Sequence, residues 1–307
     1  GDPLNPFLTA SGSPNFDPNK TIQVYVGSSA GSIICSYLAS GYTLEQIFDA
    51  FLGKSRASPG GKQLKRLNYS TMFSLRREQG LLNAVSVLAA EGGRLPALGK
   101  FVSLLAKDSY DGIFKWKWLK MAGLFSTSGI ERYMREDVLP SNDFQAYLSE
   151  LYIVATQLNH SKKVVFGKHK YTPDDRTVAY TNETPISDAC SASTALPFVF
   201  SPYPIKTEKG RTTYYFDGEI RDTLSTHVGY DAGADLVIAS YTHQPYHFNR
   251  EIGSLHQHGL PAILIQALYL LIERKIQHSV EHIERSKKAI DAVNQFFREQ
   301  NLSEDLR

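Results

Sequence analysis

The sequence predicts an α/β fold whose central sheet is mostly parallel. Short runs rich in β-branched and aromatic residues are separated by segments of helical periodicity, a pattern typical of strands covered by helices on both faces. The chain has 307 residues, of which 42% are hydrophobic, enough to bury a large core in a single domain over residues 1–307. We expect strands at residues 21–26, 151–157, 163–166, 212–216 and 235–241.

The first helices follow directly after the first strand. Residues 1–20 are rich in Pro, Asn, Ser, Gly and Asp, which favours turns over regular structure. A helix is expected over residues 32–40, with Gly41 just after its end. Thr43 and Gln46 form a capping-box pattern that predicts the start of a second helix over residues 44–52.

Two longer helical regions are expected further along. Residues 54–125 begin with a basic, Gly-containing stretch and continue with helical patterns and no obvious strand, so we predict a helical insertion. A long helix is predicted over residues 261–300. Its broad apolar face favours core packing or self-association over membrane insertion, and comprises Ile263, Ala267, Leu270, Leu271, Ile276 and Ile283.

Composition excludes several classes of protein. A formal net charge of +2 gives no support for bulk binding of nucleic acid. Cys35 and Cys190 are too few for a disulfide framework, and we expect buried, reduced thiols. No apolar run is long enough to span a bilayer and no signal-peptide pattern begins the chain, which favours a cytoplasmic protein. A leader removed before residue 1, and so a secreted protein, stays an open alternative.

The segment Gly27-Ser28-Ser29-Ala30-Gly31 fits the pattern G-x-S-x-G between a predicted strand and a predicted helix. In this setting the pattern is typical of a nucleophile elbow, in which Ser29 lies on a sharp, strained bend with its hydroxyl exposed. Gly27 and Gly31 lack Cβ atoms and so permit a close approach of strand and helix. The N–H group of Ala30 then points toward an oxyanion on the attacked carbonyl. A simple Gly/Ser turn is the alternative.

A serine hydroxyl needs a base that removes its proton. Asp217 is the candidate, because it ends a β-type run and is followed by Gly218, which lets the chain turn away. A carboxylate at the end of a strand lies where open α/β sheets place their active sites. An ordinary Asp-Gly turn is the alternative for this pair alone.

Four segments, taken in order, resemble the patatin-like phospholipase family. They are Val24–Ile33, Ala155–Asn159 with Val164–Phe166, Ala192–Phe200, and Phe216–Asp222 with Gly233–Asp235, within a resemblance that spans roughly residues 21–241. The resemblance implies a three-layer α/β/α sandwich that hydrolyses the acyl esters of membrane lipids. It also implies that Ser29 is the nucleophile and Asp217 its partner in a dyad without histidine, and that no metal or cofactor takes part.

The chain departs from the family pattern in two places. The family aspartate usually lies in Asp-Gly-Gly or Asp-Gly-Ala, whereas Glu219 follows Gly218 here. An inward-facing Glu219 is expected to raise the pKa of Asp217. The family also has a glycine-rich loop with a basic residue upstream of the nucleophile, and residues 1–20 contain none. We expect that this sequence lacks part of its natural beginning, since the elbow and the Asp-Gly strand end are otherwise intact. The alternative is that the protein has lost one arm of the oxyanion hole, which costs about 10²–10³ in rate.

A membrane contact and two rival functions complete the expectations. Phe114, Trp116 and Trp118 alternate with lysines, which suits a membrane interface, although packing of the rings within the protein is the alternative.

One rival function is that of an esterase with a Ser-Asp-His triad, with the histidine among His227, His243 and His247. The other is a noncatalytic relative that binds lipid or a partner. His256 and His258 are interpreted as surface residues rather than metal ligands. The oligomeric state is left open.

Overall fold

A computed structural model describes residues 23–54, 64–67, 74–75, 125–169, 175–207, 210–242 and 244–299. Strands in these ranges are β1 (Val24–Ser28), β2 (Ser74–Leu75), β3 (Phe125–Ser126), β4 (Glu150–Gln157), β5 (Lys163–Gly167), β6 (Val178–Thr181), β7 (Tyr203–Lys206) and β8 (Thr212–Asp217). Helices are α1 (Ala30–Ala39), α2 (Leu44–Phe51), α3 (Ser128–Tyr133), α4 (Ile186–Ser193), α5 (Thr226–Asp231) and α6 (Leu260–Glu299). The protein is therefore an α/β fold with a long C-terminal helix.

The chain forms two compact units. The first comprises Gly1–Arg221 and Ser225–Val237, and it contains the sheet and the residues predicted to form the site. The second comprises Asp222–Leu224 and Ile238–Arg307. Within the second unit, the backbone of Tyr246 exchanges two hydrogen bonds with the side chain of Gln266, which attaches the preceding loop to α6.

The central sheet is mixed, and most of its strand pairs are antiparallel. The strand order is β6-β5-β4-β8-β7, with β1 added to β4. β1–β4 and β5–β6 are parallel pairs, whereas β4–β5, β4–β8 and β7–β8 are antiparallel. The predicted mostly parallel sheet is therefore wrong. The connections between β4 and β5 (residues 158–162) and between β7 and β8 (residues 207–211) are too short for the crossover that parallel strands require. The strands that they join therefore pair as antiparallel strands.

One edge of β4 holds two strands end to end. β5 pairs with β4 from Tyr152 to Thr156 and so occupies the opposite edge. β1 runs parallel to β4 and its last residue, Ser28, pairs with Val154. β8 runs antiparallel to β4, and Asp217 pairs with Ala155. The carboxyl ends of β1 and β8 therefore face each other at consecutive residues of β4.

Buried residues lie on both faces of the sheet. Alternate β4 residues, such as Leu151 and Ile153, belong to a cluster that includes side chains of α1, α3 and α4. Tyr152 and Val154 point the other way and belong to a second cluster with Val228 of α5. This period of two follows from the pleat of the strand. It gives β4 no exposed face between these residues, and its side chains there are fully buried.

Several local predictions are confirmed. The strand before Ser29 and the helix after it are present, and Gly41 follows α1 with a φ of 86°. The capping box at α2 has both hydrogen bonds, between Thr43 and Gln46. The predicted C-terminal helix is α6. Cys35 and Cys190 are free, with Cys190 buried and Cys35 partly so.

The strand predicted over residues 235–241 is wrong. The described residues in this segment have no regular structure and pair with no strand. Leu236 and Ile238 are 68% and 64% exposed. A run of apolar, partly β-branched residues does not suffice for a strand, because its backbone groups also need a neighbouring strand as hydrogen-bond partner.

Most of the predicted helical insertion lies outside the described residues. Within it, the structure describes residues 54, 64–67 and 125 and the two-residue strand β2, which pairs antiparallel with β3. The expectation of no strand in this region therefore misses β2. Phe114, Trp116 and Trp118 also lie outside the described residues, so the membrane contact stays a prediction. In the described part of the chain, no helix is both long and apolar enough to cross a bilayer.

Candidate active site

Ser29 lies on a strained turn between β1 and α1. Its backbone angles are φ 51° and ψ −129°, a left-handed conformation that is rare for residues other than glycine. Strain of this kind persists where the surrounding structure enforces it, and it is concentrated at functional sites. The side chain is half-buried, and the next residue, Ala30, is exposed in the first turn of α1. The first N–H groups of a helix have no acceptor within the helix.

Gly27 makes this turn sterically feasible. A Cβ atom at Gly27 would lie 2.6 Å from both the Gly31 carbonyl oxygen and the Ser32 Cα. Such contacts with backbone atoms would force the strand and the helix apart. A Cβ atom at Gly31 would meet nothing within 4 Å. The close approach that the sequence attributes to both glycines therefore depends on Gly27 alone.

Ser193, at the end of α4, fixes the backbone of the turn. The Ser29 N–H group donates a hydrogen bond of 2.9 Å to Ser193 Oγ, and this hydroxyl donates one of 2.6 Å to the Val154 carbonyl. Ser193 is completely buried. Sequence reasoning did not assign it a role, although it lies in the segment Ala192–Phe200 that carries the family resemblance.

Asp217 is the last residue of β8 and its side chain is completely buried. Its N–H group donates to the Ala195 carbonyl at 3.1 Å, and its own carbonyl accepts from Thr156 Oγ1 at 3.1 Å. Gly218 is required next to it, since a Cβ atom there would lie 2.4 Å from the Val154 carbonyl oxygen and 2.6 Å from Ser28 Oγ. The Asp-Gly pair thus fits the junction between β8 and β1.

The Asp217 carboxylate interacts with the nucleophile candidate. Burial raises its pKa from an ordinary 3.8 to about 7, and a hydrogen-bonding interaction with the Ser29 side chain opposes this rise. The Glu219 N–H group donates to Oδ1 at 2.9 Å. Oδ2 has no partner of standard hydrogen-bond geometry among the described residues. Catalytic hydrogen bonds are often poorly aligned before substrate binds.

Glu219 is buried beside Asp217, with 8% of its surface exposed. Its negative charge raises the pKa of Asp217, as expected for an inward-facing residue, but this effect is smaller than that of burial. The departure from Asp-Gly-Gly therefore strengthens the basicity of Asp217 without being its main cause.

The histidines of the rival triad lie in different surroundings. His227 Nε2 lies 2.7 Å from Lys163 Nζ, and His247 is exposed. His243 lies outside the described residues. Of the histidines that the structure describes, none hydrogen-bonds to Asp217 or shifts its pKa. A triad would require an imidazole that donates to this carboxylate.

His256 and His258 are exposed in a short turn before α6. His256 Nδ1 lies 2.8 Å from Ser254 Oγ, and His258 Nε2 lies 3.0 Å from the Ile252 carbonyl. Across the ranges that the structure describes, no cluster of three or more His, Cys, Asp or Glu side chains is arranged to hold a metal ion.

This geometry places the protein among α/β proteins with a strained serine between a strand and a helix and a buried carboxylate beside it. The sequence profile of the patatin-like phospholipases matches residues 7–229. The chain therefore belongs to the patatin-like phospholipase family, whose members are generally serine lipid acyl hydrolases. No curated protein matches the chain significantly.

The two glycines of the turn give a stability prediction. Gly27→Ala is expected to lower the free energy of unfolding by about 1–3 kcal/mol, because the new methyl group must displace backbone atoms of α1. Gly31→Ala is the matched control and should change it by less than about 0.5 kcal/mol, because its site is open. Urea unfolding of both variants compares them, and equal losses would contradict the steric role of Gly27.

The buried carboxylate gives a second stability prediction. Folded Asp217 binds a proton below about pH 7, whereas the unfolded chain binds it only below about 3.8. The free energy of unfolding of the wild type therefore falls by on the order of 4 kcal/mol as the pH rises between these values. Asp217→Asn has no carboxyl group at this position and should not show this fall. The advantage of Asp217→Asn over the wild type should be larger at pH 8 than at pH 4.5.

Urea unfolding at both pH values measures this advantage. Asp235→Asn, which removes an exposed carboxylate, controls for the loss of one charge. An advantage of Asp217→Asn that is equal at the two pH values would contradict a raised pKa.

Proposed function

We propose that the protein hydrolyses acyl esters of membrane lipids through an acyl-enzyme on Ser29, with Asp217 as the base. The observation that carries the proposal is the fully buried carboxylate of Asp217, whose pKa is raised to about 7 and which interacts with the hydroxyl of a strained serine. Family membership supports the lipid substrate. The two-sided packing of the sheet also supports the three-layer α/β/α sandwich that the family resemblance implies.

The reaction would proceed in two steps. Asp217 accepts the proton of the Ser29 hydroxyl as Oγ attacks the ester carbonyl, and the tetrahedral oxyanion faces the N–H group of Ala30 at the start of α1. The ester C–O bond breaks, the proton passes from Asp217 to the departing alkoxide, and the alcohol or lysolipid leaves. A water molecule, deprotonated by Asp217, then attacks the acyl-enzyme, and the proton returns to Ser29 as the fatty acid departs.

Burial makes Asp217 a better base than an exposed carboxylate. A general base works best when its pKa lies near the operating pH, and an ordinary aspartate is much too acidic for this at neutral pH. The Asp217 N–H group donates to the Ala195 carbonyl, the Thr156 hydroxyl donates to the Asp217 carbonyl, and these two hydrogen bonds hold the residue in place. The segment that begins at Ala195 continues to Phe198, whose side chain is 51% exposed and whose φ is 72°. Its exposed ring offers apolar surface for an acyl chain.

Two substitutions test the proposed dyad. Ser29→Ala should lower kcat/KM for a fluorescent phospholipid by roughly 10³-fold or more, because it removes the nucleophile. Asp217→Asn should lower it by about 10²–10⁴-fold, because it removes the base. Ser28→Ala, at the neighbouring serine, is the control and should retain activity.

Other results of the same assay would favour the rival functions. Loss of activity in His227→Ala, His243→Ala or His247→Ala, with activity retained in Asp217→Asn, would favour the triad. A wild type that binds liposomes but cleaves neither the phospholipid nor a short-chain p-nitrophenyl ester would favour a noncatalytic lipid-binding protein.

The pH dependence of kcat/KM tests the role of Asp217 as base. Only the ionised carboxylate accepts a proton, so activity should be low below about pH 7 and reach a plateau above it. Glu219→Gln should shift this midpoint to lower pH, because it removes a negative charge that raises the pKa of Asp217. The measurement uses a soluble p-nitrophenyl ester. A rise centred near pH 4 would contradict the raised pKa.

A further inference from the structure

The C-terminal helix is much longer than the other helices that the structure describes. α6 has 40 residues, which corresponds to about 60 Å. From residue 280 to residue 293 every side chain is exposed. Ile283 is 64% exposed, Ile290 37% and Val293 38%. These isoleucine and valine side chains form an apolar stripe on a segment whose other residues are mostly charged or polar.

The stripe follows a strict seven-residue repeat. Tyr269, Ile276, Ile283, Ile290 and Phe297 are each seven positions apart. A second series lies three positions after each of the first four. Together the two series form a seam, defined as Tyr269, Ile272, Ile276, Ser279, Ile283, Ser286, Ile290, Val293 and Phe297. A straight helix would drift about 20° per repeat away from such a seam, so this spacing favours a left-handed supercoil with another helix.

The beginning of the seam is buried, whereas its residues from 283 to 293 are exposed. Ile272 and Ile276 are 1% and 3% exposed, and the open isoleucines lie seven and fourteen positions after Ile276. From residue 281 to residue 291, the positions outside the seam include charges of both signs, with an ion pair between Glu281 and Arg285. A helix that lies on a membrane surface would instead carry mainly Lys and Arg on its polar face. The seam is therefore suited to a protein partner.

The partner must have an apolar stripe of the same length and period. Beyond the buried Ile276, the seam continues from Ser279 to Phe297, which is 19 residues or about 27 Å. Among the helices that the structure describes, those other than α6 have ten residues or fewer. They are too short to cover it. A second copy of the chain carries the same uncovered stretch, with isoleucine at two consecutive repeats, Ile283 and Ile290.

We propose that the part of the seam beyond Ile276 packs against the same stretch of another copy of this chain as a coiled coil. Ile283, Ile290 and Val293, which are exposed in the single chain, supply the apolar layers of this interface. Ser279 and Ser286 place polar hydroxyls at two seam positions, which limits its strength. The proposal does not depend on the proposed lipid hydrolysis, because association is measured without substrate.

Light scattering on the full chain, coupled to size-exclusion chromatography, tests the proposal. The wild type should have at least twice the 34.3 kDa mass of one chain. The double variant Ile283→Lys with Ile290→Lys should have the mass of one chain, because charged side chains in the seam prevent packing. Gln277→Lys with Gln295→Lys is the matched control, since it adds the same charge outside the seam and should leave the mass of the assembly unchanged.

Ser286→Leu provides a variant that should gain association. It replaces a polar seam residue with an apolar one and should lower the concentration at which the assembly dissociates. Its effect does not require a destabilising substitution, so misfolding does not obscure the result. A wild type with the mass of one chain at every concentration would overturn the proposal, as would an assembly that Ile283→Lys with Ile290→Lys leaves intact.

Discussion

The site depends on two strands that meet end to end on one edge of β4. Because β1 is parallel to β4 and β8 antiparallel to it, their carboxyl ends reach Val154 and Ala155 from opposite directions. Ser29 follows the first end, and Asp217 forms the second. The space between these ends is so small that Gly218 cannot carry a Cβ atom without contacts under 3 Å, and Gly27 has the same constraint where β1 approaches α1. The same crowding enforces the strained backbone of Ser29 and excludes water from Asp217.

The burial of Asp217 lowers the stability of the folded protein and raises the basicity of the carboxylate. A buried carboxylate without full hydrogen-bond satisfaction is unfavourable in the folded state, and its pKa rises accordingly. The same burial produces a group that is able to accept a proton near neutral pH. The hydroxyl of Ser29 and the N–H group of Glu219 offset only part of this cost. The Asp217 backbone donates to the Ala195 carbonyl and accepts from the Thr156 hydroxyl, and these hydrogen bonds keep the residue from relaxing toward solvent.

Local sequence patterns predict the structural features that depend on residues close together in the sequence. The turn at Ser29, the capping box of α2 and the long helix α6 all follow from short-range rules, and the structure has each of them. Strand direction was mispredicted, although the five residues between β4 and β5 already exclude a helical crossover. The role of Ser193 depends on a contact 164 residues away in sequence, between its hydroxyl and the Ser29 N–H group, which no local pattern contains.

The central claim is that Asp217 activates Ser29 across this junction. Labelling with a fluorophosphonate tests it most directly, because this reagent forms a covalent bond only with an activated serine hydroxyl. Peptide mass mapping of the labelled protein should find one adduct, on Ser29, and Asp217→Asn should form it far more slowly than the wild type. An adduct on a different serine, or equal labelling rates in the wild type and Asp217→Asn, would contradict the account.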